Sequence, residues 1–128
     1  MRRIKELVDI SKKHQNFSVL SGDDPTFANA LSIGAHGVIS VAANIIPKDI
    51  SKICFELLNN NKDIGINLNY KYKNLYDLLF LESNPIPVKW MLSKMNLIQR
   101  NIRLPLVELD ETYHEKILSE LYNLEILP

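Results

Sequence analysis

Residues 17–44 read FSVLSGDDPTFANALSIGAHGVISVAAN, and how this stretch folds decides the architecture of the chain. Phe17-Ser18-Val19-Leu20 and Gly37-Val38-Ile39-Ser40-Val41 are too short for helices, rich in β-formers and bounded by turn residues, so both are predicted strands. Between them Asp24 is placed to cap a helix and Pro25 to open it. Phe27, Ala30 and Leu31 share one face, and Gly34 lies past the last turn. A crossover that carries a helix makes the two strands parallel. Apolar runs of this kind expect cover on both faces, so the expected class is α/β.

Parallel α/β folds bind ligands beyond the carboxyl ends of their strands. Here those ends are Ser21-Gly22-Asp23-Asp24 and Val41-Ala42-Ala43-Asn44. Gly22, without a Cβ, lets a bound molecule approach the backbone, and Asp23 and Asp24 can accept hydrogen bonds from hydroxyls or amines. The same residues also fit a turn glycine followed by a helix cap, and spacing does not choose between the two.

On the amino-terminal side, Arg2 to Lys13 reads as a charged helix with Ile4, Leu7 and Val8 on one side. On the other side, Pro47 and Asp49 open a helix whose apolar set is Ile50, Ile53, Cys54, Leu57 and Leu58, ending at Asn59-Asn60-Asn61. Lys62 to about Leu81 reads as one longer helix with Ile64, Leu68, Leu75, Leu78 and Leu79 inward. Asn84 then caps a helix begun by Pro85, with Val88, Met91, Leu92 and Met95 as its buried stripe and Lys89-Trp90 as a candidate contact surface. A last helix begins at Asp110 or Thr112, the latter forming a capping box with Glu115. Tyr70, Tyr72 and Tyr76 at helical spacing read as packing residues rather than base-stacking ones.

Composition excludes several function classes. At 128 residues the chain fits one domain, since single domains run from about 100 to 200 residues. Hydrophobic residues at 46% and charged residues at 23% support a packed core rather than extended disorder. Lys plus Arg and Asp plus Glu number 15 each, leaving no global field to attract nucleic acid or an anionic membrane. The lone Cys54 leaves no internal disulfide framework and no multi-cysteine zinc site, which fits a reducing cytoplasm. No run approaches the roughly 18 apolar residues of a membrane span. Met1 to Glu6 lacks a signal-peptide core, and a cytoplasmic protein is expected.

His14, His36 and His114 have no metal-ligand spacing, so no metal is expected. His36 sits in the Gly34-Ala35-His36-Gly37 turn at the amino end of the second strand, where it supports the turn. Neither GxGxxG nor GxxxxGK[ST] occurs and no nucleophile elbow is present, so no cofactor is expected. The residues alone give an incomplete α/β unit, a set of helices and no self-sufficient catalytic constellation.

Taken in order, LSGDDPTFANALSIGAHGVISVAANIIP, NPIPVKWMLSKMNLI and IRLPLVEL resemble the carboxyl-terminal part of the dihydrodipicolinate synthases, across nearly the whole chain. The resemblance implies a (β/α)8 barrel with a helical extension, assembled as a homo-oligomer. The implied reaction joins pyruvate to aspartate semialdehyde through a Schiff base with a lysine, on the route to lysine and diaminopimelate. Phe17 to Leu20 then matches the seventh strand, Val38 to Val41 the eighth, Arg2 to Lys13 the sixth helix and Lys48 to Asn59 the eighth. Residues 1–60 become the end of the barrel, and residues 61–128 a three-helix extension.

By the same resemblance, Ile39 and Gly22 line the pyruvate pocket, and Asp23 and Asp24 lie near the mouth where the second substrate enters. The Schiff-base lysine and the proton-relay tyrosine belong to barrel segments that precede this chain's first residues, so no catalytic residue is assigned here. Lys5, Lys12 and Lys13 fall on the following helix, and a solvated helix lysine is no activated nucleophile. Two strands of eight cannot close a barrel. The expectation is a segment inactive alone, completed by a companion chain or by self-association. The alternative is a degenerate remnant, or an oligomerisation or interaction module without catalysis.

Overall fold

The computed structural model describes residues 1–128. Its elements in order are α1 (Arg2–Ser11), β1 (Leu20–Ser21), α2 (Phe27–Ser32), β2 (Gly37–Val38), α3 (Pro47–Leu58), α4 (Lys62–Tyr70), α5 (Lys73–Leu78), α6 (Ile86–Lys94) and α7 (His114–Asn123). Short 3-10 turns at Ala42–Asn44 and Glu111–Tyr113 precede α3 and α7. The class is α/β, and β1 and β2 pair in parallel as the crossover requires, Leu20 opposite Gly37 and Ser21 opposite Val38.

The strands are shorter than the apolar runs that predict them. Ile39 still donates its N–H to the Ser21 carbonyl at 2.8 Å, but the chain then turns at Val41 into the 3-10 segment, so Ser40 and Val41 leave the sheet. The cause is Asp24. Instead of capping α2, which begins at Phe27 after Thr26, its carboxylate crosses to the 40–42 segment and takes the N–H groups there.

One face of the strand pair is covered and the other open. Val19 and Ser21 are buried on the side of the helices, whereas Leu20 is 49% exposed and Ile39 69% exposed. At the amino end of the pair His36 substitutes for a missing ladder partner. Its N–H donates to the Val19 carbonyl at 2.8 Å, and its Nδ1 accepts the Val19 N–H at 2.9 Å. The turn just before it places Gly34 at φ +105°, where a side chain is strained. A Cβ there would also lie 2.9 Å from Val8 Cγ1, so α1 sits hard against this turn.

The helices follow the sequence reading with several corrections. Lys62 to Leu81 is two helices, not one. The break at Lys71-Tyr72 holds no Pro or Gly and arises from packing, because Tyr72 and Tyr76 are both buried and Phe27 meets Tyr76 edge-on at 6.3 Å. Ile64 is exposed rather than inward. The residue at the crossing is Gly65, where a Cβ would sit 2.5 Å from Leu57 Cγ, so α3 and α4 approach backbone to side chain. Residues 61–128 consequently carry four α-helices rather than three.

Trp90 is not a contact surface. It is 4% exposed and stacks on His114 at 4.5 Å, with Lys94 Nζ 4.9 Å from its ring centre. Asn84 does not cap α6, which starts at Ile86 behind Pro85. The last helix is entered through Asp110, whose Oδ1 accepts the Thr112 N–H at 2.9 Å. The Thr112 hydroxyl, which donates to the same oxygen at 2.6 Å, and then that N–H hold the Asp110 carboxyl below its ordinary range, while Thr112 does not cap α7. One continuous core runs from Val8 and Phe27 through Ile53 and Leu79 to Ile117 and Leu121. No helix is long and apolar enough to cross a membrane.

Candidate functional site

Side chains alternate across a strand, and partners in register point to the same side. Leu20 lies opposite Gly37, and a Cβ on Gly37 would meet Leu20 Cδ2 at 3.2 Å. The same alternation puts Gly22 and Ile39 on the open face, joined through the Ile39 N–H to Ser21 carbonyl bond. A Cβ at Gly22 would find no atom within 4 Å. The space above this glycine is therefore free for something other than the chain's own packing.

The two aspartates diverge. Asp23 stays at the surface, its Oδ2 accepting the Thr26 hydroxyl. Asp24, at 1% exposure, points inward. Its Oδ1 accepts the Ser40 hydroxyl, and its Oδ2 accepts the Val41 and Ala42 N–H groups at 3.0 and 3.2 Å. Ser40 Oγ in turn accepts the Ala43 N–H at 2.9 Å. Helix starts leave their first N–H groups without internal partners, and this carboxylate–hydroxyl pair satisfies three successive ones.

The resemblance names Gly22 and Ile39 together, and the sequence does not reveal that Ser40 belongs with Asp24. The only available signal is the alternation in Val38-Ile39-Ser40-Val41, which puts a hydroxyl on the side away from Ile39. Beneath the pair lies Tyr76, whose phenol is pushed well above its ordinary range, by burial first and then by the Asp24 carboxylate. Tyr72 is raised in the same direction by burial, with Asp49 beside it. Tyr76 donates its hydroxyl to Asn69 Oδ1 at 3.0 Å. Burial pushes the Cys54 thiol up, which leaves it a poor nucleophile.

No lysine or arginine occurs in residues 17–44, so the open face carries no amine from its own strands and loops. Lys5, Lys12 and Lys13 lie exposed on or just after α1, where Lys12 pairs with Asp9 at 2.9 Å. Nowhere do three histidine, cysteine or carboxylate side chains converge as a metal site would need. The face offers backbone groups and open space to a small molecule, and no amine of its own.

Comparison with known proteins gives this geometry a family. The model of the dihydrodipicolinate synthetase family matches residues 1–123. A 4-hydroxy-tetrahydrodipicolinate synthase of Coxiella burnetii is 42% identical over 126 residues, covering 98% of this chain and 42% of its own length. The synthase of Legionella pneumophila is 39% identical over 127 residues, 99% of this chain and 43% of its own. Among solved structures, the chloride-inhibited dihydrodipicolinate synthase of Acinetobacter baumannii complexed with pyruvate superposes with a TM-score of 0.93 at 43% identity. That match covers 98% of this chain and 43% of the other. The Thermotoga maritima enzyme gives 0.92 at 35% identity, over 97% of this chain and 42% of its own. The chain thus spans about two fifths of the length of the relatives it matches. On the strength of a family match along nearly its whole length and of the same backbone, the chain belongs to the dihydrodipicolinate synthetase family.

Proposed function

We propose that the chain forms the carboxyl-terminal portion of a 4-hydroxy-tetrahydrodipicolinate synthase, in which residues 1–60 end the (β/α)8 barrel and residues 61–128 form its helical extension. β1 and β2 supply the seventh and eighth strands. Gly22 and the Ile39 backbone form a wall of the pyruvate pocket, and Asp23 stands at the mouth where aspartate semialdehyde enters. The lysine that forms the Schiff base, and the tyrosine that relays protons, come from the part that completes the barrel. There the amine adds to the pyruvate carbonyl, water leaves, and the resulting carbon nucleophile joins the semialdehyde before ring closure. Alone, this chain binds no keto acid covalently. The setting is the cytoplasm, and the working state is an oligomer with the completing part or with further copies.

The observation that carries this reading is the open sheet face. A parallel strand pair presents Gly22 and Ile39 side by side with no cover, on a backbone that superposes on a synthase solved with pyruvate. An interaction module built around Trp90 has no such support, since that ring is buried under His114.

The test mixes the purified chain with a companion that spans the remaining part of the Coxiella synthase. Aspartate semialdehyde consumption is followed with and without pyruvate, and borohydride with labelled pyruvate traps the adduct. Activity only in the mixture, with the label on the companion, supports the reading. A labelled adduct on this chain alone overturns it, and so does an inactive mixture at every ratio.

A further inference from the structure

We infer that Asp24 and Ser40 act as a positioning pair, holding the Ile39–Ser40 backbone at a fixed distance from Gly22 while neither side chain touches substrate. The inference rests on the reading of that face as a keto-acid wall, and it assigns the two adjacent aspartates different work.

Beyond Ile39 no ladder bond links the two strands. The hydrogen bonds that cross from residues 22–24 to residues 40–42 all end on the Asp24 carboxylate. Both its oxygens are engaged and the residue is 1% exposed, so burial keeps it from presenting an acceptor at the mouth. Ser40 closes the arrangement by giving its proton to Asp24 and taking the Ala43 N–H. A carboxylate two residues after Gly22 thereby grips the Ser40 hydroxyl and the Val41 and Ala42 backbone, one to three residues after Ile39. Misplacing a wall that orients a reacting molecule costs rate even where no contact is lost.

The substitutions Asp24→Asn, Ser40→Ala, the double change and Ser40→Thr are introduced into this chain and assayed in the same mixture. An asparagine turns one acceptor into a donor that faces another donor. Both single changes raise the KM for pyruvate about tenfold, and the KM for the semialdehyde stays within about twofold. The double variant is no worse than the worse single one, because the two groups act through one connection. Ser40→Thr, which keeps the hydroxyl, restores the pyruvate KM.

A rise confined to the semialdehyde KM makes Asp24 a substrate contact and overturns the proposal. So do unchanged constants, or additive losses. The clamp is also read without the companion, by amide hydrogen exchange on this chain, where Ser40→Ala speeds exchange at Val41, Ala42 and Ala43 about tenfold. Unchanged exchange overturns the clamp even if the mixture is active. An inactive wild-type mixture overturns both the functional reading and the catalytic meaning of the pair, whatever the exchange rates show.

Discussion

The strand pair and the helices that follow α3 solve the same problem with opposite results. In α5, α6 and α7 the backbone hydrogen bonds run between residues of the same helix, only the end groups looking elsewhere, and Leu75, Leu79, Met91, Ile117 and Leu121 along this part of the chain reach full burial. In β1 and β2 the backbone depends on neighbours. Each strand has one partner, its other edge is bare, and Leu20 and Ile39 face outward. A helix cut away from its fold keeps its hydrogen bonds, whereas a strand keeps only those it shares. The helical part therefore looks finished, and the part bearing the candidate site does not.

The largest effect that sharpens this contrast is Leu121→Ala. Removing a fully buried leucine from the helical core should cost about 3–5 kcal/mol in a denaturant melt. Asp24→Ala in the α/β unit follows, at about 2–4 kcal/mol, because it orphans the Ser40 hydroxyl and two N–H groups at once. If it costs nothing, the clamp does not hold the two loops together.

Raising the pH tests the seam, since Tyr72 and Tyr76 lie where α5 meets α2 and α3. Both phenols are raised, so the folded chain keeps protons that the unfolded chain releases above the ordinary tyrosine value of 10.0. Stability is unaffected below that value and falls as the pH rises past it. A thermal melt that does not move between pH 9 and 11 would show the phenols to be accessible.

Gly65→Ala should cost about 1–3 kcal/mol by forcing α4 off Leu57, although alanine is the better helix former. The smallest effect belongs to the open face. Ile39→Ala should change the stability of the chain alone by no more than about 0.5 kcal/mol, because its side chain meets mostly water. The same substitution should weaken assembly with a completing part. A large loss in the isolated chain would mean that its own residues already cover this face.

Much of this architecture is legible in local chemistry. Pro47 and Asp49 mark the start of α3, and the crossover between residues 17 and 44 forces parallel strands. Gly22 and Ile39 are named by the resemblance, and the paired strands set them side by side. What escapes is set by distant partners. Asp24-Pro25 looks like a helix start, and only the nearby Val41 and Ala42 N–H groups draw the carboxylate elsewhere. Lys71-Tyr72 contains no breaker, yet the burial of two tyrosines splits the helix. Trp90 next to a lysine looks like a contact, and His114, 24 positions later, covers it.

The amino-acid order alone determined the class, the parallel direction of the strand pair and the kinship, since turn residues, apolar period and motif order are properties of neighbours along the chain. Only the folded arrangement decided which aspartate is buried, which face is bare and where Ser40 belongs. Those outcomes depend on groups 16 to 18 positions apart competing for the same few hydrogen bonds.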